Sequence, residues 1–152
     1  MKEIKSICII TDAYPTDKVP RYTFVEQLVS AWVKNGLQCT VLNPLSLTNV
    51  LFRGGELKPK EWEKKNKDMI VEINSPRYIS YTTKKIGVIN LVKYSFASYL
   101  RCCMRYMEKN HQRFDAVYGH FAYSGMVASQ ITKKYNTPSF FAFGENTTYT
   151  ID

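Results

Sequence analysis

Residues Ile4 to Gly36 read as a strand, a loop and a helix, and the chain beyond Gly36 returns at once as a second strand. Lys5-Ser6-Ile7-Cys8-Ile9-Ile10-Thr11 is a short apolar run, partly β-branched, ending in small polar residues. Such a run suits a strand buried on both faces of a parallel sheet, not an alternating half-exposed one. Asp12-Ala13-Tyr14-Pro15-Thr16-Asp17-Lys18-Val19-Pro20 then breaks regular structure twice, because proline cannot donate to a ladder and restrains the residue before it. From Thr23 a helical pattern starts, with Phe24, Leu28, Ala31 and Trp32 on one side. Thr23-Phe24-Val25-Glu26 has the capping-box form, and Lys34-Asn35-Gly36 supplies a cation and a left-handed residue at the other end. Gly36 to Pro44 is the next strand. The result is one βαβ unit, which commits the chain to a parallel sheet.

The remainder follows the same alternation. Ser46 to Gly55 shows no period and reads as a surface loop. Lys58 to Asp68 is a charged run, read as a short exposed helix or an extended connection. Met69 to Ile73 and Arg77 to Tyr81 read as a strand and an extended segment split by Ser75-Pro76. Ile86 to Asn110 is a long helical pattern. Its Lys93, Arg101, Arg105 and Lys109 are spaced by multiples of four and form one drifting cationic stripe. Beside Tyr94, Tyr99 and Tyr106, that stripe is either a membrane-facing surface for anionic lipid or the basic outer face of an ordinary sheet-covering helix. Phe114 to His120 is a buried strand, Phe121 to Gly125 a crossing loop, Met126 to Tyr135 a helix, and Ser139 to Phe143 a last strand. The fold class is α/β, a Rossmann-like doubly wound parallel sheet in a single domain over 1–152.

Composition excludes several classes. A chain of 152 residues with 45% hydrophobic and 22% charged residues suits one globular domain with a sizeable core. No stretch approaches the roughly 20 apolar residues of a membrane span. The charged start shows no secretory signal, so the expected location is cytoplasmic, peripheral at the inner membrane face if the stripe binds lipid. Cys8, Cys39, Cys102 and Cys103 lack metal-ligand spacing and read as plain thiols of a reducing compartment. A net charge of +8, from 21 basic and 13 acidic residues, suits phosphate-bearing partners or an anionic surface. Nucleic acid is disfavoured, because no RNA- or DNA-binding signature is present.

Ligands of such sheets bind at the carboxyl ends of the strands where the order reverses. That rule selects the loops Asp12 to Thr23, Gly119 to Gly125 and Gly144 to Thr148. The first carries neither GxGxxG nor GxxxxGK[ST], which argues against NAD and direct ATP chemistry. His120 closes a buried strand. It either donates to a sugar hydroxyl or phosphate, or moves a proton near neutral pH, or is satisfied by a backbone carbonyl. His111, at a helix end, reads as a cation beside the last carbonyls. Two histidines without ligand partners nearby argue against a structural zinc site. Glu145 is the carboxylate of the last strand's loop and Asp12 the one directly after the first strand; either they pair as acid and base, or Glu145 hydrogen-bonds its own turn. Arg21 suits a phosphate held in two bonds, and Ser124 reads as a helix cap before a nucleophile.

These residues carry a resemblance. Ile9-Ile10-Thr11-Asp12-Ala13-Tyr14-Pro15, Pro20, Thr23-Phe24-Val25-Glu26-Gln27-Leu28 and Gly36 to Leu42 resemble the opening of a family 4 glycosyltransferase of the GT-B fold. Asp115 to His120 and Pro138 to Asn146 are similar to later strands of that family's N-terminal domain, while Leu47 to Asn110 matches in layout only. The resemblance implies one half of a GT-B fold and a retaining, metal-independent transfer from a nucleotide-sugar donor to a glycan or lipid-linked acceptor. No cofactor is implied, the nucleotide-sugar being a substrate. It implies that His120 contacts the donor sugar, that Arg21, Tyr22 and Thr23 lie near the donor phosphates, and that Asp12, Tyr14, Tyr123, Glu145 and Asn146 serve the acceptor. It also implies a separate C-terminal donor-binding half, without which this chain is not expected to be active. One departure stands out: Pro20-Arg21-Tyr22-Thr23 lacks the family's loop glycine. Either Arg21 and the Thr23 helix start supply the anion contacts, or the loop serves the acceptor alone. Two other functions fit the residues: a non-catalytic binding module docking on a partner chain, and a small phosphotransferase or hydrolase using Asp12 and Glu145.

Overall fold

The computed structural model describes residues 3–20, 23–66, 69–81 and 90–142. Within them the chain runs β1 (Ser6–Thr11), α1 (Thr23–Lys34), β2 (Gln38–Leu42), β3 (Leu45–Ser46), α2 (Leu47–Phe52), β4 (Glu61–Asn66) and β5 (Met69–Asn74). It continues through β6 (Arg77–Tyr78), α3 (Leu91–Asn110), β7 (Ala116–His120), α4 (Ala122–Tyr135) and β8 (Ser139–Ala142). Six strands form one sheet in the order β4-β5-β2-β1-β7-β8, and β3 pairs with β6 apart from it. Every pair in the large sheet is parallel except β4–β5. The chain leaves β1 towards β2 on one side and later returns to β7 on the other, so the winding reverses between β1 and β7.

Alternation along the central strands assigns the two faces. Ile7 and Ile9 of β1, Val41 of β2 and Tyr118 of β7 pack with Val25 and Val29 of α1. Cys8, Ile10, Leu42 and Val117 point the other way, against Tyr99, Cys103 and Met107 of α3 and Val127 and Ile131 of α4. Both faces are covered, which is why β1 reads as an unbroken apolar run. At the amino ends, the Asp115 carboxylate accepts from the Lys5 and Ser6 amides and the Ser6 hydroxyl at 2.9–3.1 Å, tying β1 to β7.

Helix α1 stops as its sequence predicts. Gly36 stands at φ 85°, its amide donates to Val33 O and the Leu37 amide to Trp32 O, the paired bonds of a left-handed glycine cap. Its start differs from the expected capping box: Thr23 is itself the first helical residue, and the Glu26 carboxylate pairs with Lys64 at 2.9 Å. Helix α4 ends on Asn136 at φ 55°, short of Pro138.

Four local expectations are corrected. Ser46 to Gly55 is not all loop: Ser46 caps α2 by accepting from the Asn49 amide. This helix buries no residue, so it leaves no amphipathic period to read. The charged run contains the edge strand β4, in which Trp62 and Lys64 turn inward and Glu61, Glu63 and Lys65 outward; charges on an edge strand discourage further pairing. The long helix begins at Leu91, capped by the Asn90 side chain on the Val92 amide, and 86–89 lie outside the described residues. Finally α4 starts at Ala122, four residues before the expected Met126. Its first turn packs directly on β7 at Gly119, where a Cβ would stand 2.5 Å from Ser124 O. Glycine reads as a loop residue in sequence, whereas here it lets a helix touch a strand.

Candidate functional site

The carboxyl ends of β1 and β7 lie side by side at the reversal point, with Thr11 opposite His120 in register. From there the two strands send their functional side chains to opposite faces, by the same alternation that sorts the core. His120 follows Tyr118 onto the α1 face, and Asp12 follows Ile10 onto the face of α3 and α4.

His120 is 8% exposed. Its Nδ1 meets the Tyr118 hydroxyl at 2.7 Å. Aromatic rings stand around it: Phe121 at 4.5 Å, Phe24 at 5.1 Å and Tyr118 at 5.7 Å between centroids. Burial lowers the imidazole below its ordinary 6.5, so the ring is neutral at pH 7. Burial also raises the Tyr118 phenol, which stays protonated. A neutral imidazole held on one nitrogen by a phenol presents the other, Nε2, as a hydrogen-bonding group of set direction.

The residue after His120 carries strain. Phe121 stands at φ 74°, ψ 164°, a region occupied almost only by glycine. This reversal lets α4 begin immediately and folds the Phe121 ring against His120 and Phe24. Phe121 accepts from the Gly125 amide and donates to Ala142 O, so both neighbouring elements hold it.

Asp12 is exposed, and its Oδ1 accepts from the Ser124 hydroxyl at 3.1 Å. Ser124 in turn meets the hydroxyl of Tyr99 at 2.9 Å. Tyr99 is 1% exposed; burial, with the Asp12 charge adding, holds its phenol well above the ordinary value. A buried phenol, a buried serine and a surface carboxylate therefore form one chain that orients Asp12 at the sheet edge. Ser124 is the third residue of α4 and works as this relay. Tyr99, read from sequence beside the cationic stripe, belongs instead to the core.

The loop leaving β1 is held from outside. Lys58 Nζ donates to Tyr14 O and Asn43 Oδ1, each at 3.1 Å. Lys64 Nζ donates to Pro15 O at 3.2 Å, and the Thr16 hydroxyl donates to Glu56 at 2.7 Å. Three consecutive loop residues are thus gripped by one segment running into β4. Asn43 carries the tie on, donating to Thr11 O at 2.9 Å. Burial lowers the Lys58 ammonium from its ordinary range, with Glu56 opposing and Lys64 adding. Behind this bracing lies a cleft of about 530 Å³ lined by Thr16, Lys18, Lys58, Trp62 and Lys64 among others.

The remaining site expectations fall as follows. Thr23 is exposed at the start of α1, next to the Phe24 that touches His120. Tyr14 is 4% exposed with its ring edge-on to Trp62, and Tyr123 is half-buried against Phe96 and Tyr99. Arg21, Tyr22, Glu145 and Asn146 lie outside the described residues. His111 Nδ1 faces Met107 O at 3.1 Å and its ring stacks on Tyr135, far from the reversal point. All four cysteines are buried free thiols. Among the described residues no three His, Cys, Asp or Glu side chains stand together as a metal site would need. Sequence reading missed Tyr118, which the two-residue strand period places beside His120, and Lys58 and Lys64, for which no local signal exists.

No family model matches this sequence, and no curated protein does. Solved structures do. A structure of sucrose-phosphate synthase from Thermosynechococcus elongatus superposes with a TM-score of 0.57 at 13% identity, covering 93% of this chain and 64% of that one. A second structure of sucrose-phosphate synthase from the same organism gives a TM-score of 0.59 at 13% identity, covering 93% of this chain and 33% of that one. At such identity the likeness shows the fold: this chain is a Rossmann-like α/β domain of the kind found in GT-B proteins. It spans less than two thirds of either neighbour's length.

Proposed function

We propose that this chain is the acceptor-side domain of a retaining glycosyltransferase, moving a sugar from a nucleotide-sugar donor to a glycan or lipid-linked acceptor. The likeness in fold to sucrose-phosphate synthase, a GT-B glycosyltransferase, supports the coarser part of this reading. The observation that carries it further is His120. A neutral imidazole at the reversal point, aimed by Tyr118 and walled by aromatic rings, suits donation to a sugar hydroxyl.

In this reading Asp12, fixed through Ser124 and Tyr99, accepts from an acceptor hydroxyl on the opposite side of the sheet edge. Thr23 and the α1 start, together with Arg21 and Tyr22, face the donor phosphates. Tyr14, Tyr123, Glu145 and Asn146 complete the acceptor side. The nucleotide-sugar enters as substrate, no cofactor or metal is required, and a further C-terminal domain supplies donor recognition. The setting is the synthesis of cell-surface polysaccharide or glycolipid on the cytoplasmic side of a membrane.

The test is His120→Ala in the full-length enzyme. Turnover falls by about a hundredfold while acceptor affinity stays within a few-fold. Equal turnover in the two proteins removes His120 from the mechanism.

A further inference from the structure

Helix α3 shows solvent a basic face. Lys93, Arg101, Arg105 and Lys109 are all exposed, with Glu108 as the one exposed acid of the helix. At the helical pitch, Arg101 and Arg105 stand about 20° to either side of Tyr94, so the three share one line. Tyr94 is 58% exposed and heads that line at the amino end of the helix. The sequence-based grouping with Tyr99 and Tyr106 does not survive: Tyr99 is buried and Tyr106 half-buried in the core behind this face.

A second strip of chain joins Tyr94 instead. The Ile79 amide donates to Ser98 Oγ at 3.0 Å and the Tyr81 amide to Ser95 Oγ at 2.7 Å, laying this segment along α3. The Tyr81 ring sits 6.3 Å from that of Tyr94, edge-on. Ile79 and Tyr81 stay 50% and 45% exposed although their backbone is fixed. The surface therefore combines an anchored apolar trio with Arg101 and Arg105 on the same line, while Lys93 and Lys109 stand about 100° and about 60° to opposite sides of it.

We propose that this face docks the protein on an anionic membrane surface. Lipid phosphates meet Arg101 and Arg105, the long Lys93 and Lys109 side chains reach in from the two flanks, and Ile79, Tyr81 and Tyr94 enter the interface. An outward helix face that carries cations and tyrosines, each an apolar body with a polar tip, fits a bilayer interface. No described helix is long and apolar enough to cross a membrane. Because α3 follows β6 and feeds β7, its amino end lies at the carboxyl edge of the sheet. The trio thus stands on the same end of the domain as Asp12 and His120. The consequence that a lipid-linked acceptor is met at the bilayer rests on the proposed function; the docking itself does not.

The experiment is co-sedimentation of the full native chain with phosphatidylcholine vesicles, with and without phosphatidylglycerol, at low and high salt and without any sugar substrate. Pelleting is expected only with phosphatidylglycerol, with release at high salt. R101E/R105E weakens it by about thirtyfold or more, at roughly 1 kcal/mol per lost cation. K93E/K109E, at the flanks of the face, weakens it by a smaller factor of several-fold, so one pair remains decisive if the other misfolds. Absence of pelleting, equal pelleting on neutral vesicles, or unchanged binding by folded charge-reversed variants overturns the proposal. None of those results touches the His120 test.

Discussion

At the scale of single residues, two positions show how local chemistry is bent to the site. Phe121 holds a backbone conformation that glycine adopts freely and other residues do not. Replacement by alanine and by glycine removes the same ring contacts, so their difference isolates the backbone. Phe121→Gly is expected to be about 1–2 kcal/mol more stable than Phe121→Ala in urea unfolding; equal midpoints would show the conformation to be unstrained. His120 makes a second, pH-dependent prediction. Its folded value lies below the ordinary 6.5, so below that pH the unfolded chain binds a proton that the native site resists. The wild type therefore loses stability as pH falls from about 7 to about 5, and His120→Gln loses less over the same window. Parallel slopes for the two proteins would mean the imidazole is not held neutral by burial.

Among elements, two contacts decide the geometry. Helix α4 rests on β7 through Gly119, and the wall its side chain would strike is backbone, which cannot rotate away. Gly119→Ala is expected to cost about 3 kcal/mol, the upper end for overpacking, read by the unfolding midpoint. The other contact is the bracing of the first loop by the segment entering β4. Lys58→Met keeps the aliphatic stem but loses the bonds to Tyr14 O and Asn43. Hydrogen exchange at the Val19 amide, which bonds Thr16, is expected to accelerate while amides of α4 stay unchanged. Uniform acceleration would make Lys58 a general stabiliser instead of a strut for the loop.

For the whole molecule, the sheet is filled from both sides, and its thiols report on that filling. Cys8 and Cys103 have no exposed surface, and burial pushes the Cys39 thiol up to about 11. Labelling of Cys8 and Cys103 in native buffer is therefore expected to proceed only through global unfolding, giving the same free energy as circular dichroism. Faster labelling of Cys103 than of Cys8 would reveal a separate opening of α3 from the sheet. A single cooperative unit is what two core clusters sharing β1, β2 and β7 should produce.

The βαβ start, the glycine cap of α1, the parallel sheet and the place of His120 were all legible in the sequence. Each depends on a pattern repeated within a few residues: strand period, helix period, or the left-handed preference of Gly36. Only the tertiary structure decided the rest. Ser124 looked like a cap until α4 brought it between Tyr99 and Asp12. The charged run looked like a short exposed helix or an extended connection until Lys58 and Lys64 reached back to Tyr14 and Pro15. Tyr99 and Tyr94 are five residues apart on one helix, about 140° around its axis, and that turn puts one in the core and leaves the other on the surface. Contacts between residues distant in sequence arise from packing and leave no period to read.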